Sequence, residues 1–508
     1  MRKVLNSLVL CHFIIIFADH KTLLLMMNRT LLIFYLLIMS LAVSAEKKTE
    51  APTLYIYRYL LVDKKGTPFS VKAPEQFLSA KSIARRKRQG LSVDESDLPV
   101  SPVYLRQFCK AGAQIIGTSR WQNTVLVRSA DTLLLQQLSQ LPCVKSALPV
   151  WVSPENKSKD DAKEEGKVKW ITDRPFHEWD SVKTEFYGGA KSQIQMLNGH
   201  MLHQAGFRGK GITIAVLDGG FQNYDLIPAL QHARIAGTHN FVAPRNSHHS
   251  VSKEKDEATP RDLSFHAIDH GTKVFSAMAA YAPEVIVGTA PDAEYWLLRS
   301  EDNESEQLVE EDYWTIAAEF ADSVGVDIIN SSLGYYEFDE GLNSYRLHDL
   351  DGKTAFVSRA ASMLVKKGII LCNSAGNSGM GHWKKIGVPA DARDILTIGA
   401  VTEDKKIATF SSVGPSQDGR VKPDVVAQGA PATLISGKGS IVHDMGTSFS
   451  TPITCGLVAC LWQSLPYKNA SEIMELVRQS GDSYDAPNNI FGYGLPDFWK
   501  AFKMGEIK

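Results

Sequence analysis

The sequence predicts an α/β fold: a doubly wound, mostly parallel sheet with helices on both faces, preceded by a smaller α+β unit. Three observations predict it. Between about Tyr187 and Met504, four near-continuous apolar runs read as strands buried on both faces: 211–218 (GITIAVLD), 326–334 (VDIINSSLG), 368–377 (GIILCNSAGN) and 394–401 (DILTIGAV). Helical stretches alternate with them, such as 272–282, 312–325 and 356–368. Ahead of this region, 156–169 (NKSKDDAKEEGKVK) is nearly all charged or small, cannot bury a core and reads as a linker or exposed loop.

From the N-terminus, residues 1–45 read as a secretory signal. MNRTLLIFYLLIMSLAVSA begins at Met27, with Arg29 as the positive flank, an apolar core over 31–39, and Val43 and Ala45 before the cut. Met27 is therefore the expected start of translation, and export, secreted or periplasmic, the expected destination. No membrane anchor is expected once the signal is removed.

Residues 46–155 form the small α+β unit. A strand is expected in TLYIYRYLLVD, a basic helix in 73–90 ended by Gly90, then strand, helix and strand over 122–152, with Asp131 as the helix cap. The run Arg85-Arg86-Lys87-Arg88 is expected to be a solvated helix face, with a protease-cleavage site as the alternative. Residues 156–186 are the charged linker or processing region, and 187–508 the main domain.

Lys and Arg number 55 against 56 Asp and Glu, giving a formal net charge of -1. No global field favours nucleic acid, and none is expected as a partner. The six cysteines include no CxxC pair, so no structural metal site is expected. Cys372, Cys455 and Cys460 lie in apolar runs and read as core residues; Cys109 and Cys143 are left open as a pair after export.

Ligands of doubly wound sheets bind beyond the carboxyl ends of the strands. At those ends stand Asp218 and, in a Gly-flanked loop, Asn377. His270 precedes an apolar helix, and Ser448 opens another in HDMGTSFSTPI, with Pro452 expected in its first turn. Each has a bland reading: a turn Asp, a capping His, a turn Asn, a helix-capping Ser. His266 and His270 have zinc-helix spacing, but Ala267 stands where that motif needs its Glu.

Taken together, IAVLDGG, DHGTKV, NSSLG, NSAGNSG and MGTSFSTP resemble the subtilisin-like serine peptidases, over about 193–502 or roughly three-fifths of the chain. The resemblance implies a catalytic triad of Asp218, His270 and Ser448, with Asn377 as oxyanion donor. It also implies substrate contacts from Ser332, Leu333 and Gly334 and from Ser374, Ala375 and Gly376. The 46–155 unit resembles the propeptides of Bacteroidetes-like members, implying an intramolecular inhibitor and chaperone. The expected activity is that of an exported serine endopeptidase, made as a self-processing zymogen, that hydrolyses polypeptide substrates through an acyl-enzyme on Ser448. A catalytically dead, peptide-binding relative is the rival; an α/β-hydrolase esterase is excluded because Ser450 replaces the second glycine of its nucleophile motif.

The chain departs from the family pattern in places. Gly219-Gly220 follows the triad Asp, where Thr or Ser then Gly is usual, and Lys273 follows HGT. The segment 279–291 lacks an amide-rich calcium loop, so no metal and no cofactor are expected there, other calcium sites staying open. The acidic run 299–314 (RSEDNESEQLVEEDYW) is expected to be a solvated loop capping the next helix, the alternative being a preference for basic substrate residues.

Overall fold

The structure is a computed structural model that describes residues 52–153, 186–243, 265–339 and 344–506. The expected signal and the start at Met27 lie outside the described residues, as does all of the 156–186 segment but Phe186.

The N-terminal part is an antiparallel sheet of four strands, β1 (Tyr55–Leu61), β2 (Gln114–Ser119), β3 (Thr124–Ser129) and β4 (Val144–Val152), in the order β2-β3-β1-β4. With it go helices α1 (Ala80–Arg88), α2 (Pro102–Lys110) and α3 (Thr132–Leu138). Ser79 caps α1 and Asp131 caps α3, the latter accepting the amides of Leu133 and Leu134. Side chains alternate across a strand, so the sheet has two different faces. Tyr59, Leu61, Val125 and Val127 pack with Phe108, Leu135 and Leu138 into a local core. Ile56, Leu126, Val150 and Trp151 point the other way, into a core shared with Leu308, Trp314 and Leu298 of the main domain.

The main sheet contains β5 (Thr213–Asp218), β6 (Arg234–Asn240), β7 (Glu294–Arg299), β8 (Ile328–Ser331), β9 (Ile370–Ser374), β10 (Leu396–Thr402) and β11 (Val425–Ala430). Their order is β11-β10-β9-β8-β5-β7-β6, and every pairing is parallel. Ile214, Val216, Ile328, Ile370 and Cys372 face a core with α4 (His270–Ala279) and α7 (Thr447–Ser464). Ala215, Leu217, Ile329 and Leu371 face the opposite core, with α5 (Val309–Val324) and α6 (Phe356–Ala361). Contacts bind Leu54–Lys508 into one compact unit. No described helix is long and apolar enough to cross a membrane.

Two surface expectations are overturned where α1 meets α5. Only half of the arginine run is a solvated face: Lys87 and Arg88 are exposed, but Arg85 and Arg86 are each 1% exposed. Asp322 of α5, fully buried, takes Arg85 at 2.5 Å, Arg86 at 2.9 Å and Arg120 at 2.8 Å. Arg86 and Lys367 also meet Asp97 at 2.8 and 3.0 Å. Burial alone would raise the Asp322 carboxyl, but the charges of Arg85, Arg86 and Arg120 hold it below its ordinary value. Nor is the acidic run a solvated loop. Glu310, Glu311 and Asp312 form the first turn of α5 and are at most 1% exposed, with Asp312 held by Arg58 Nε at 2.7 Å. These charges tolerate burial because most have an opposite charge from another element, which pattern reading along one segment does not reveal.

Cys372, Cys455 and Cys460 are buried as core residues, and Cys109 and Cys143 are both free thiols.

Candidate active site

The inner strand β5 delivers Asp218 at its carboxyl end, fully buried. Its Oδ1 and Oδ2 lie 2.9 and 3.0 Å from His270 Nδ1, and Oδ1 also accepts the Gly219 amide at 2.8 Å. His270 is the first residue of α4, its side chain 35% exposed. Burial works to lower the imidazole, but the charge of Asp218 and its hydrogen bond prevail, and the ring is held above its ordinary value. The Gly219 departure has a steric cause: a Cβ there would stand 2.5 Å from Asn303 Oδ1, whose amide donates to the Gly219 carbonyl. Lys273 reaches Asp269 at 3.3 Å and Asp444 at 3.1 Å, tying α4 to the segment that leads into α7.

Ser448 is the second residue of α7, not its cap. Gly446 occupies the cap position; the Thr447 amide goes to Asn377 Oδ1 and the Phe449 amide to the Gly446 carbonyl, which leaves the Ser448 amide as the one without a partner among the described residues. Pro452 is the sixth residue of the helix rather than part of its first turn. Lacking an N–H, it leaves the Ser448 carbonyl without its helical donor. The Ser332 hydroxyl supplies the missing bond at 2.8 Å, and the Ser448 hydroxyl donates in turn to the Ser332 carbonyl at 3.3 Å. Among the described residues that carbonyl, not His270, is the partner of the Ser448 hydroxyl. Contact with the imidazole is made close by Phe449, whose ring centroid lies 5.7 Å from that of His270. Catalytic hydrogen bonds commonly tighten only once substrate binds.

Asn377 follows β9 in an exposed turn that Gly376 makes possible at φ +102°. Its Oδ1 accepts both the amide and the hydroxyl of Thr447, each at 2.9 Å. The acceptor end of the amide is thus occupied, which turns Nδ2 into the end available to a ligand. Thr447 was not singled out in the sequence, although it stands between Gly446 and Ser448. It also takes the Gly376 amide at 3.2 Å, so one side chain joins the two loops.

Of the expected substrate-contact residues, Ser332 clasps Ser448, and Leu333 offers its carbonyl to Asn373 Nδ2 at 3.2 Å. Gly334 is exposed, whereas Ser374 and Ala375 are buried beneath the turn. The structure therefore brings Asp218, His270, Ser448, Asn377 and the 332–334 and 374–376 segments to one end of the sheet. The chemistry available there is a base held by a carboxylate, a hydroxyl, and a side-chain amide donor beside the free Ser448 amide.

The segment 279–291 contains a tight hairpin, Tyr281–Ala282 against Ile286–Val287. Among the described residues no group of three or more His, Cys, Asp or Glu side chains could hold a metal ion.

Comparison with known proteins agrees with this architecture. Residues 209–494 match the Subtilase family, Peptidase S8, and residues 57–167 match the Peptidase S8 propeptide domain of Bacteroidota. The chain is similar to the serine protease AprX of Bacillus subtilis (strain 168), 28% identical over 313 residues, which cover 56% of this chain and 65% of AprX. It is also similar to bacillopeptidase F of the same strain, 25% identical over 494 residues, covering 91% of this chain and 32% of that protein. A solved mutant of the protease domain of PatA aligns with a TM-score of 0.45 and 20% identity, over 59% of this chain and 97% of that one. The chain thus spans less than two thirds of the length of both B. subtilis relatives.

Proposed function

We propose, from the premise that this chain belongs to the subtilase family of serine peptidases, that Asp218, His270 and Ser448 are its catalytic triad and that it is an exported, self-processing endopeptidase. The observation that carries the site assignment is the double contact of Asp218 with His270 Nδ1, at the same sheet end as Ser448. Asp218 fixes the tautomer that leaves Nε2 free to act as base, and it stabilises the imidazolium formed. On substrate binding the Ser448 hydroxyl exchanges the Ser332 carbonyl for Nε2, loses its proton there and attacks the scissile carbonyl. The oxyanion is met by Asn377 Nδ2 and the Ser448 amide; His270 then passes the proton to the leaving amine, and water completes the cycle in reverse. No step requires a metal or cofactor.

Self-processing and inhibition by the propeptide are supported by where its sheet ends. The amide and carbonyl of Val152 bond the Gln307 side chain at 2.9 and 3.0 Å, and Gln307 adjoins the cleft residue Glu306. Export is supported by the signal pattern ending at Ala45. Labelling with a serine-directed fluorophosphonate tests the triad: the label should map to Ser448 and vanish in Ser448→Ala and His270→Ala. Ser448→Ala should also retain the propeptide as one chain. Labelling elsewhere, or a cleaved, active Ser448→Ala protein, refutes the reading. N-terminal sequencing of protein from the culture medium and the periplasm tests export.

A further inference from the structure

A cavity of about 440 Å³ is lined by His270, Leu333 and Ile268 together with a group of acids. Of these, Glu310 is 1% and Glu301 9% exposed, while Glu306 is half-buried. Glu310 accepts the amides of Asp302 at 2.9 Å and Gln307 at 3.2 Å, and Glu301 accepts the Tyr335 hydroxyl. Asp339 closes the rim by accepting the Glu306 amide at 2.9 Å; Asp302 and Glu304 also line it.

Among the described residues no lysine or arginine forms an ion pair with Glu301, Glu306 or Glu310; the charges that act most on them are one another's and those of Asp302, Asp339 and Asp218. Burial and that mutual repulsion push Glu301 and Glu310 well up, and burial with Asp339 pushes Glu306 to about 7. Carboxyls on the propeptide side of the same helix are buried as deeply but have arginines against them. Buried carboxyls without a counter-charge are a standing cost that an incoming cation removes. A lining that combines half-buried Leu333 and Ile268 with buried acids matches a side chain with a methylene stem and a cationic head. A metal ion fits less well, since no described cluster could hold one.

We propose that this cavity is a subsite for a lysine or arginine side chain of the polypeptide substrate, with Glu301, Glu306 and Glu310 as specificity-determining residues. The inference rests on the catalytic reading of His270 and Ser448. His270 itself lines the cavity, so the selected residue lies within a few positions of the cut.

The test uses the full chain after processing and a library of peptides whose cleavage products are sequenced. Lysine or arginine should be enriched at one fixed position within that range. Replacing that residue by norleucine, which keeps the stem and removes the charge, should lower kcat/KM at least tenfold with the unaltered enzyme. In Glu306→Gln, and separately Glu301→Gln, the lysine-to-norleucine ratio should fall towards one. Efficient hydrolysis with no cationic preference, or a ratio unchanged in both variants, overturns the subsite while leaving the triad standing. Absence of hydrolysis together with absence of fluorophosphonate labelling overturns both.

Discussion

Two groups of carboxylates border α5, and they differ in what faces them. On the propeptide side, Asp312 meets Arg58, and Asp322 meets Arg85, Arg86 and Arg120. Glu319 there accepts the Ser119 hydroxyl and the amides of Arg120 and Trp121. On the cleft side Glu301 and Glu310 are held by hydroxyl and amide donors and by each other, and among the described residues no lysine or arginine pairs with them or with Glu306. Burial of acids therefore serves two ends. Acids with built-in counter-charges join the propeptide to the main domain; on the proposed subsite, acids without them await the charge of a substrate. If that division is real, changes on the first side move mainly stability, changes around the cleft move mainly rates, and a reversal of the two breaks it.

The largest effect is expected from Ser448→Ala, which should lower kcat about 10⁶-fold while the denaturation midpoint of the unprocessed chain stays put. A shifted midpoint would show that Ser448 also carries stability. Next is Asp322→Ala, measured in that inactive background by chemical denaturation. It leaves buried arginines without their counter-charge and should cost about 3–5 kcal/mol. Asn377→Ala should lower kcat about 10²–10³-fold, and because its Oδ1 also holds the Thr447 amide and hydroxyl it should cost about 1 kcal/mol of stability. The pH profile comes after these. The base works only when neutral, and Asp218 holds His270 above its ordinary value. The acid limb of kcat/KM should therefore lie above about 6.5, with activity falling about tenfold per unit as pH drops below it. An acid limb below 6 would contradict the Asp218 contact. The smallest effect belongs to Lys81→Ala. Its pair with Glu294 is 46% and 40% exposed, so solvent screening limits the loss to about 1 kcal/mol or less.

Sequence pattern reached parts of this arrangement unequally. Strands β5, β8, β9 and β10 stand out because both faces are buried and their residues are apolar almost without break. Strand β6, RIAGTHN, alternates exposed and half-buried residues at the sheet edge, and β11, VVAQGA, carries Gln and Gly; neither has that signature. Asp218, His270, Asn377 and Ser448 were readable because glycine-rich turns at strand ends are short-range signals. Thr447 was not, since its work is to accept and donate across to a turn 70 residues away. The arginines of α1 failed for the same reason: helical spacing indicates which residues share a face, not what lies against it. An arginine run in the small unit and an acidic run in the large one, read as a pair, was the available clue.

The sheet of the propeptide has one face filled by its own helices and another, bearing Ile56, Leu126 and Trp151, that is finished only by the peptidase. Detached, it would present those side chains and its buried arginines to water, and a unit of this size keeps little stability in reserve. On the self-processing reading, a released propeptide would therefore be less stable than the docked one, and an unfolded chain is open to proteolysis; each departure would then remove the means of return.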